Sequence, residues 1–137
     1  MEKLLKLLNE NARYTNHELA TMLKLDESEV AKKLDQLEKD GVICGYKPMY
    51  NWDLAYPDKV SALIELKVIP QAVAGFDEIA EKIMSFDEVT SVYLMSGSYD
   101  LAVQVVGRTF HEVALFVSET LAVMDPVQST TTHFVLK

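Results

Sequence analysis

The stretch Thr15–Val30, TNHELATMLKLDESEV, contains the starts of two helices separated by a very short connection. Thr15 and Glu18 form a capping-box pattern, in which the threonine oxygen accepts a backbone N–H from the first turn and the glutamate reaches back to the threonine N–H. Asp26 and Glu29 form a second pattern of the same kind. Two consecutive helices with so short a link are typical of a helix-turn-helix.

Other residues of this stretch also fit a helix-turn-helix. Ala20 is small enough for the two helices to cross closely, and Val30 lies where an apolar side chain locks the second helix from beneath. The outer face of the second helix is then free for the major groove of DNA. We expect the lysines of this face to contact phosphates or guanine, and its glutamine to pair with adenine. The face holds Ser28, Glu29, Lys32, Lys33 and Gln36.

The same helix is also acidic, and carboxylates repel the phosphates of DNA. Its carboxylates are those of Asp26, Glu27, Glu29, Asp35 and Glu38. By charge alone, a small helical bundle that contacts other proteins is as good an interpretation as a DNA-binding unit.

Apolar side chains at three- and four-residue steps predict helices over residues 2–10 and 16–22, and a third that runs to about Lys39. Gly41 favours termination of the third helix. Val42–Tyr46 is short and β-like, and is predicted to form a wing.

Residues 46–58 lose helical periodicity and contain two prolines, which predicts a connector. We therefore divide the chain into a winged helix-turn-helix domain at residues 1–50, a linker at 51–58 and a second domain at 59–137.

The second domain alternates strand and helix patterns. Residues 59–69 alternate strictly between apolar and polar side chains, which predicts a half-buried strand. Helical stripes follow from Phe76 and from Phe110, the latter opened by a capping-box pattern at Thr109 and Glu112. Further strands are predicted at residues 89–95, 99–106 and 130–136. The order β-α-β-β-α-β predicts an α+β, ferredoxin-like domain with both helices on one face of a four-stranded antiparallel sheet.

The opposite face of this sheet also receives apolar side chains. By alternation Leu63, Tyr93, Met95 and Val106 fall on it, among polar neighbours. A monomer that exposes such a patch tends to associate, so we expect this face to pack on a second copy of the chain. A solvated face with scattered apolar residues is the common alternative.

Composition narrows the classes of function. The chain has 137 residues, a net charge of −8 and 49% hydrophobic residues, which is typical of a globular protein with a sizeable core. The acidity lies in residues 53–137, with five basic and twelve acidic side chains, whereas residues 1–52 have eight basic and nine acidic. An acidic total argues against generic affinity for nucleic acid.

Several kinds of site have no sequence signal. Cys44 is the single cysteine, which excludes an internal disulfide and fits a reducing cytoplasm. The apolar runs are far shorter than the roughly 20 residues that span a bilayer, and the start lacks the layout of a signal peptide. No nucleophile–base set, phosphate-binding glycine loop or Cys/His cluster is present. We therefore expect no enzyme, no cofactor and no metal site.

Four parts of the chain resemble the Lrp/AsnC, or feast/famine, family of transcriptional regulators. Residues 11–20 are similar to the family's approach to its second helix, and residues 34–46 to the end of its third helix and wing. Residues 92–103 are similar to its hairpin with a Gly-x-Tyr-Asp turn, and residues 129–137 to its last strand. The resemblance covers nearly all of the chain in the family's order. With the DNA-binding residues we group Arg13, which lies in the first of these parts.

The resemblance implies an N-terminal winged helix-turn-helix and a C-terminal ligand-sensing (RAM) domain, whose homodimers assemble further, often to octamers. It also implies that small effectors, typically amino acids, bind near the Gly-x-Tyr-Asp turn, which here is formed by Gly97, Ser98, Tyr99 and Asp100. An aspartate is a suitable partner for an ammonium group. The alternative is that Gly97 only makes the turn and Asp100 only caps backbone donors of the hairpin.

The chain departs from the family at Lys24, where a turn glycine is usual, so a strained left-handed residue is expected there. We expect a cytoplasmic regulator that binds double-stranded DNA, responds to a small effector and has no contact with membranes. One alternative is an enzyme similar to siroheme decarboxylases, which use histidines and basic residues around a tetrapyrrole. The two arginines are few for binding its carboxylates, and no two of the three histidines have the spacing of metal ligands. Another is a modulator that pairs with a related regulator and no longer binds DNA, supported by the acidic third helix.

Overall fold

The structure, a computed structural model, describes residues 1–70 and 75–137. The chain divides into two compact units, residues 1–50 and residues 51–137. The first unit contains the helices α1 (Glu2–Glu10), α2 (Asn16–Leu23) and α3 (Glu27–Lys39). The second contains α4 (Trp52–Ala55), β1 (Val60–Val68), α5 (Phe76–Met84), β2 (Val89–Leu94), β3 (Leu101–Gly107), α6 (Phe110–Phe116, continued by a π-helical turn at Val117–Leu121) and β4 (Val127–Val135).

The three helices of the first unit share one small core. Its buried members are Leu4, Leu19, Ala20, Val30 and Leu37. Ala20 is 6% exposed and Val30 is 0% exposed, which confirms the predicted close crossing and the predicted locking position. Because Val30 and Leu37 point inward, the opposite face of α3 is presented to solvent.

The turn between α2 and α3 depends on Lys24. Its backbone is left-handed, with φ 57° and ψ 46°, as the missing turn glycine predicted. The N–H groups of Lys24 and Leu25 both donate to the Ala20 carbonyl, which ends α2 and turns the chain toward α3. A lysine is strained there because its Cβ crowds the backbone in this conformation.

Lys24→Gly is therefore expected to raise the free energy of unfolding of the first unit by about 0.5 kcal/mol. The left-handed conformation costs a non-glycine residue about 1–2 kcal/mol, and the extra freedom of glycine in the unfolded chain cancels about 0.4–1 kcal/mol of that gain. Urea denaturation followed by circular dichroism measures the change. Ala31→Gly, at an exposed position within α3, is the matched control and should lose about 1 kcal/mol. A Lys24→Gly variant that unfolds at lower urea than the wild type would contradict the strain.

The capping pattern that opens α2 is confirmed, and the one that opens α3 is wrong. Thr15 Oγ1 accepts the N–H of Glu18 at 3.1 Å, and the Glu18 carboxylate accepts the N–H of Thr15 at 3.3 Å. Asp26 is the N-cap residue of α3, but its side chain makes no capping bond. Its backbone carbonyl accepts the N–H of Glu29 at 3.0 Å instead, so this donor is satisfied without the carboxylate.

The pattern that opens α6 is half formed. Thr109 Oγ1 accepts the N–H of Glu112 at 3.0 Å. The Glu112 carboxylate accepts the N–H of Arg108 at 2.6 Å rather than that of Thr109. The glutamate therefore still satisfies a backbone donor, one residue earlier than the pattern predicts.

The wing strand predicted at Val42–Tyr46 is wrong. The structure assigns no strand to this segment. The N–H groups of Val42 and Ile43 both donate to the carbonyl of Leu37, at 2.9 and 3.0 Å, and so complete the end of α3. A strand needs a second strand to satisfy its backbone, and the described part of the chain places none beside these residues.

The predicted linker contains a short helix, which the absence of helical periodicity did not predict. Asn51 Oδ1 accepts the N–H groups of Asp53 and Leu54, at 3.0 and 3.3 Å, and starts the one-turn helix α4. A side-chain cap of this kind favours helix initiation even where no apolar stripe is present.

The second unit is the predicted four-stranded antiparallel sheet, with strand order β2-β3-β1-β4. Ile64 lies opposite Val103 on β3 and opposite Thr132 on β4. α5 and α6 cover one face, where buried side chains of the sheet meet Ile79, Ile83, Val113, Val117 and Leu121. The β-α-β-β-α-β order and the ferredoxin-like plan are confirmed.

The uncovered face of the sheet mixes apolar and polar side chains, as the alternation predicted. Tyr93 is 54% exposed on β2, and Leu63 and Val106 are half-buried. His133 Nε2 lies 3.1 Å from Glu65 Oε1 across β1 and β4. Met95 follows the end of β2 and is exposed.

No helix within residues 1–70 and 75–137 is both long and apolar enough to cross a bilayer.

Candidate functional site

The structure brings five of the predicted DNA-binding residues together on α3. Ser28, Glu29, Lys32, Lys33 and Gln36 are all exposed there. In the described chain neither Lys32 nor Lys33 forms an ion pair, so both ammonium groups are available to an anion. Phosphate contacts from such lysines position a protein on DNA, and base contacts provide the sequence preference.

Some polar side chains of α3, including one of these five, already have partners. Gln36 Nε2 donates to Asp40 Oδ1 at 2.7 Å, which occupies one of the donors that adenine recognition needs. Lys39 Nζ lies 2.7 Å from Asp35 Oδ2, and this hydrogen bond and the charge of Asp35 raise the pKa of Lys39.

The Tyr46 hydroxyl donates a hydrogen bond to Glu38 Oε1 at 2.8 Å. Burial, this hydrogen bond and the charge of Glu38 together raise the pKa of Tyr46. Because its pKa is raised, the phenol stays protonated at neutral pH and continues to donate. The hydrogen bond joins the segment that follows α3 to the helix itself.

Arg13 lies on a different part of the first unit. It is exposed in the turn between α1 and α2, where its N–H donates to Asn11 Oδ1 at 2.9 Å. It lines a groove of about 760 Å³ between α1 and residues 42–49. None of the five α3 residues is among the described residues that line this groove.

The sequence did not reveal a side-chain hydrogen bond that joins the two helices of the helix-turn-helix. His17 Nδ1 lies 2.6 Å from Glu27 Oε1. The two residues are 10 apart in sequence and belong to the first turns of α2 and α3. No sequence pattern predicts such a contact, because it depends on the angle at which the helices cross.

The predicted effector residues form the connection between β2 and β3. Gly97 and Ser98 are exposed, and Tyr99 and Asp100 are half-buried. Gly97 has φ +158°, a conformation that other residues rarely adopt, whereas no described atom lies within 4 Å of the position that a Cβ would take. Glycine is therefore needed there for the shape of the turn and not for space.

Asp100 ties this turn to the central strand. Its Oδ2 accepts the N–H of Val68 at 2.9 Å, and its own N–H donates to the carbonyl of Leu66 at 2.9 Å. The side chain therefore caps a backbone donor of β1, and not a donor of the hairpin as the alternative predicted. Oδ1 has no hydrogen-bond partner among the described residues, so one oxygen is left for a ligand.

A metal site has no support in the part of the chain that the structure describes, where no group of three or more His, Cys, Asp or Glu side chains is placed to hold an ion. Cys44 is exposed, and its Sγ donates to the carbonyl of Gly41 at 3.2 Å.

Comparison with known proteins assigns a family to each unit. Residues 2–43 match the family described as winged helix-turn-helix DNA-binding. Residues 61–137 match the Lrp/AsnC ligand binding domain.

Whole-chain relatives agree with these matches. The HTH-type transcriptional regulator YugG of Bacillus subtilis (strain 168) is 46% identical over 136 residues, covering 98% of this chain and 82% of the relative. The regulatory protein AsnC of Haemophilus influenzae is 24% identical over 132 residues, covering 96% of this chain and 85% of the relative.

A solved structure extends the agreement to three dimensions. A Neisseria meningitidis transcriptional regulator in complex with L-Met superposes with a TM-score of 0.79 at 28% identity, covering 98% of this chain and 86% of that one. From its helix-turn-helix unit, its ligand-binding sheet domain and these relatives, we conclude that the chain belongs to the Lrp/AsnC family of DNA-binding transcriptional regulators.

Proposed function

We propose that the protein binds a specific sequence of double-stranded DNA through the outer face of α3, and that a small effector, an amino acid, modulates this binding. The exposed and unpaired ammonium groups of Lys32 and Lys33 carry the proposal. They project from a helix that is locked from beneath by Val30 and Leu37, and a recognition helix needs that rigidity to enter the major groove.

Three carboxylates of α3 already have partners, and one of them is balanced by a cation. Asp35 pairs with the ammonium group of Lys39, whereas Glu27 and Glu38 accept hydrogen bonds from His17 and Tyr46 and keep their negative charge. Asp26 and Glu29 remain without such a partner in the described chain. A carboxylate at the start of a recognition helix can accept a hydrogen bond from the cytosine amino group, so Glu29 is assigned to base recognition.

Lys32→Ala and Lys33→Ala are each expected to weaken binding to a specific duplex by about five- to tenfold and to lower the dependence of log K on log salt by about 1. A gel-shift screen across genomic fragments identifies the duplex, and titrations at several salt concentrations give both quantities. Lys82→Ala, in α5 of the second unit, is the matched control for loss of one positive charge.

Asp100→Ala should leave DNA binding nearly unchanged when no effector is present, because Asp100 belongs to the second unit. Failure of the wild-type protein to retard any fragment at low salt would overturn the proposed DNA binding.

For the effector we propose the turn formed by Gly97, Ser98, Tyr99 and Asp100. The free oxygen of Asp100 is suited to an ammonium group, and Leu94 and Met95 next to the turn are exposed. That combination fits an amino acid with an apolar side chain, and the Neisseria meningitidis relative was solved with L-Met. Calorimetric titration with a panel of amino acids that includes L-Met tests the proposal.

We further propose that the uncovered sheet face packs on a second copy, and that such homodimers assemble to a larger oligomer such as an octamer. Several helix-turn-helix units on one duplex would raise the overall affinity by effective concentration. We place the protein in the cytoplasm with its DNA target, and assign it no catalytic activity.

A further inference from the structure

The hydrogen bond between His17 and Glu27 joins two helices at the protein surface. It connects the first turn of α2 to the first turn of α3, at the end of the recognition helix where Asp26 and Glu29 also lie. The side chains are 77% and 58% exposed, so the pair is open to solvent and to a ligand that approaches α3. The Thr21 hydroxyl donates to the carbonyl of His17 at 3.0 Å and adds a contact within α2.

The chemistry of this pair allows two charge states with one geometry. A neutral imidazole that carries its proton on Nδ1 donates to the Glu27 carboxylate, and so does the doubly protonated imidazolium. Protonation therefore keeps the hydrogen bond and adds one positive charge beside the Glu27 carboxylate. Histidine is the side chain that makes this change near physiological pH.

The charged neighbours of His17 are few. The group within 4 Å is the carboxylate of Glu27. The other charged side chains on the elements around it lie on all three helices and their turns: Glu2, Lys3, Lys6 and Glu10 on α1, Arg13 before α2, Glu18 on α2, Lys24 and Asp26 in the turn before α3, and Glu29, Lys32, Lys33, Asp35, Glu38 and Lys39 on α3. None of these forms an ion pair with His17 in the described chain. His17 is also the single histidine in residues 1–50.

We propose that His17 is a positioning residue for DNA binding: it holds the Glu27 carboxylate toward α2, and its protonation strengthens DNA binding as the pH falls. The inference rests on the proposed function, because it needs α3 to lie against DNA. Phosphates favour the protonated imidazole, so the DNA complex takes up a proton, and affinity is highest below the pH at which the imidazole loses it.

The test is a titration of the full-length protein against its duplex at constant ionic strength, at pH 6 and pH 8. The wild-type protein should bind about threefold more tightly at pH 6, as expected for one added charge near phosphates. His17→Asn retains a donor close to the position of Nδ1 but cannot become charged, so it should keep the wild-type affinity at pH 8 and lose the pH dependence. His111→Asn, at an exposed histidine of α6 in the second unit, is the matched control and should keep the wild-type pH dependence of DNA binding.

A second variant separates charge from folding. Glu27→Gln removes the carboxylate without changing its size, and should bind DNA about threefold more tightly than the wild type at pH 8. Equal wild-type affinity at pH 6 and pH 8, or a His17→Asn variant that keeps the pH dependence, would overturn this inference and leave the proposed DNA binding intact. Absence of binding to every duplex at both pH values would overturn both.

Discussion

Tyr93→Glu is expected to break the proposed homodimer and so to lower the mass of the protein in solution. Tyr93 lies on the uncovered sheet face and is 54% exposed within one chain, so the substitution leaves the core between the sheet and its helices intact. A two-fold interface contains each substituted position twice, and each carboxylate would be buried without a partner. That cost is about 3 kcal/mol or more, which raises the dissociation constant about a hundredfold.

Size-exclusion chromatography with light scattering measures the mass of both proteins at matched concentrations. Leu115→Glu is the matched control, because Leu115 is 39% exposed on α6, in the layer that covers the other face of the sheet. It should keep the wild-type mass. A Tyr93→Glu protein with the wild-type mass would show that another surface joins the copies, and a monomeric wild type at high concentration would exclude the interface.

Asp100→Asn is expected to weaken effector binding by roughly 10- to 100-fold. The amide oxygen still accepts the N–H of Val68, so the turn keeps its shape. The negative charge that faces the ammonium group is lost, and a hydrogen bond to a charged group contributes about 1.5–3 kcal/mol. Isothermal titration calorimetry with the amino acid that the wild type binds gives the ratio.

Asp100→Ala should lose stability as well. The substitution removes the oxygen that accepts the N–H of Val68, a residue that is only 6% exposed. A buried donor without a partner costs about 1–3 kcal/mol. Asp125→Asn, at an exposed aspartate before β4, is the control for the loss of one charge in the same unit. If Asp100→Asn bound the effector with wild-type affinity, the role of Asp100 would be limited to accepting the N–H of Val68.

The two capping-box patterns of the helix-turn-helix show how far local sequence predicts structure. Thr15 and Asp26 each precede a glutamate by three residues, and both start a helix. Only Thr15 closes its box. At Asp26 the backbone carbonyl takes the N–H of Glu29, and the neighbouring Glu27 bonds to His17 on another helix. The pattern thus predicted where the helix starts, but not which oxygen of Asp26 accepts the N–H of Glu29.

The predicted wing illustrates the opposite case. Val42–Tyr46 has the composition of a strand, but a strand is stabilised by its neighbour and not by its own residues. The hydrogen bonds of Val42 and Ile43 to Leu37 belong to the end of α3. Composition thus predicted a strand where the backbone completes the end of a helix.

The spacing of apolar residues was enough for the three helices, the four strands, their order and the two faces of the sheet, because burial of one face imposes a period on each element. The left-handed Lys24 followed from the resemblance to the Lrp/AsnC family, in which a turn glycine is usual at this position. The pairing of His17 with Glu27, the bond from Val68 to Asp100 and the separation of Arg13 from α3 depended on tertiary packing. These contacts join residues far apart in sequence, and their distances follow from how whole elements cross, which no local pattern encodes.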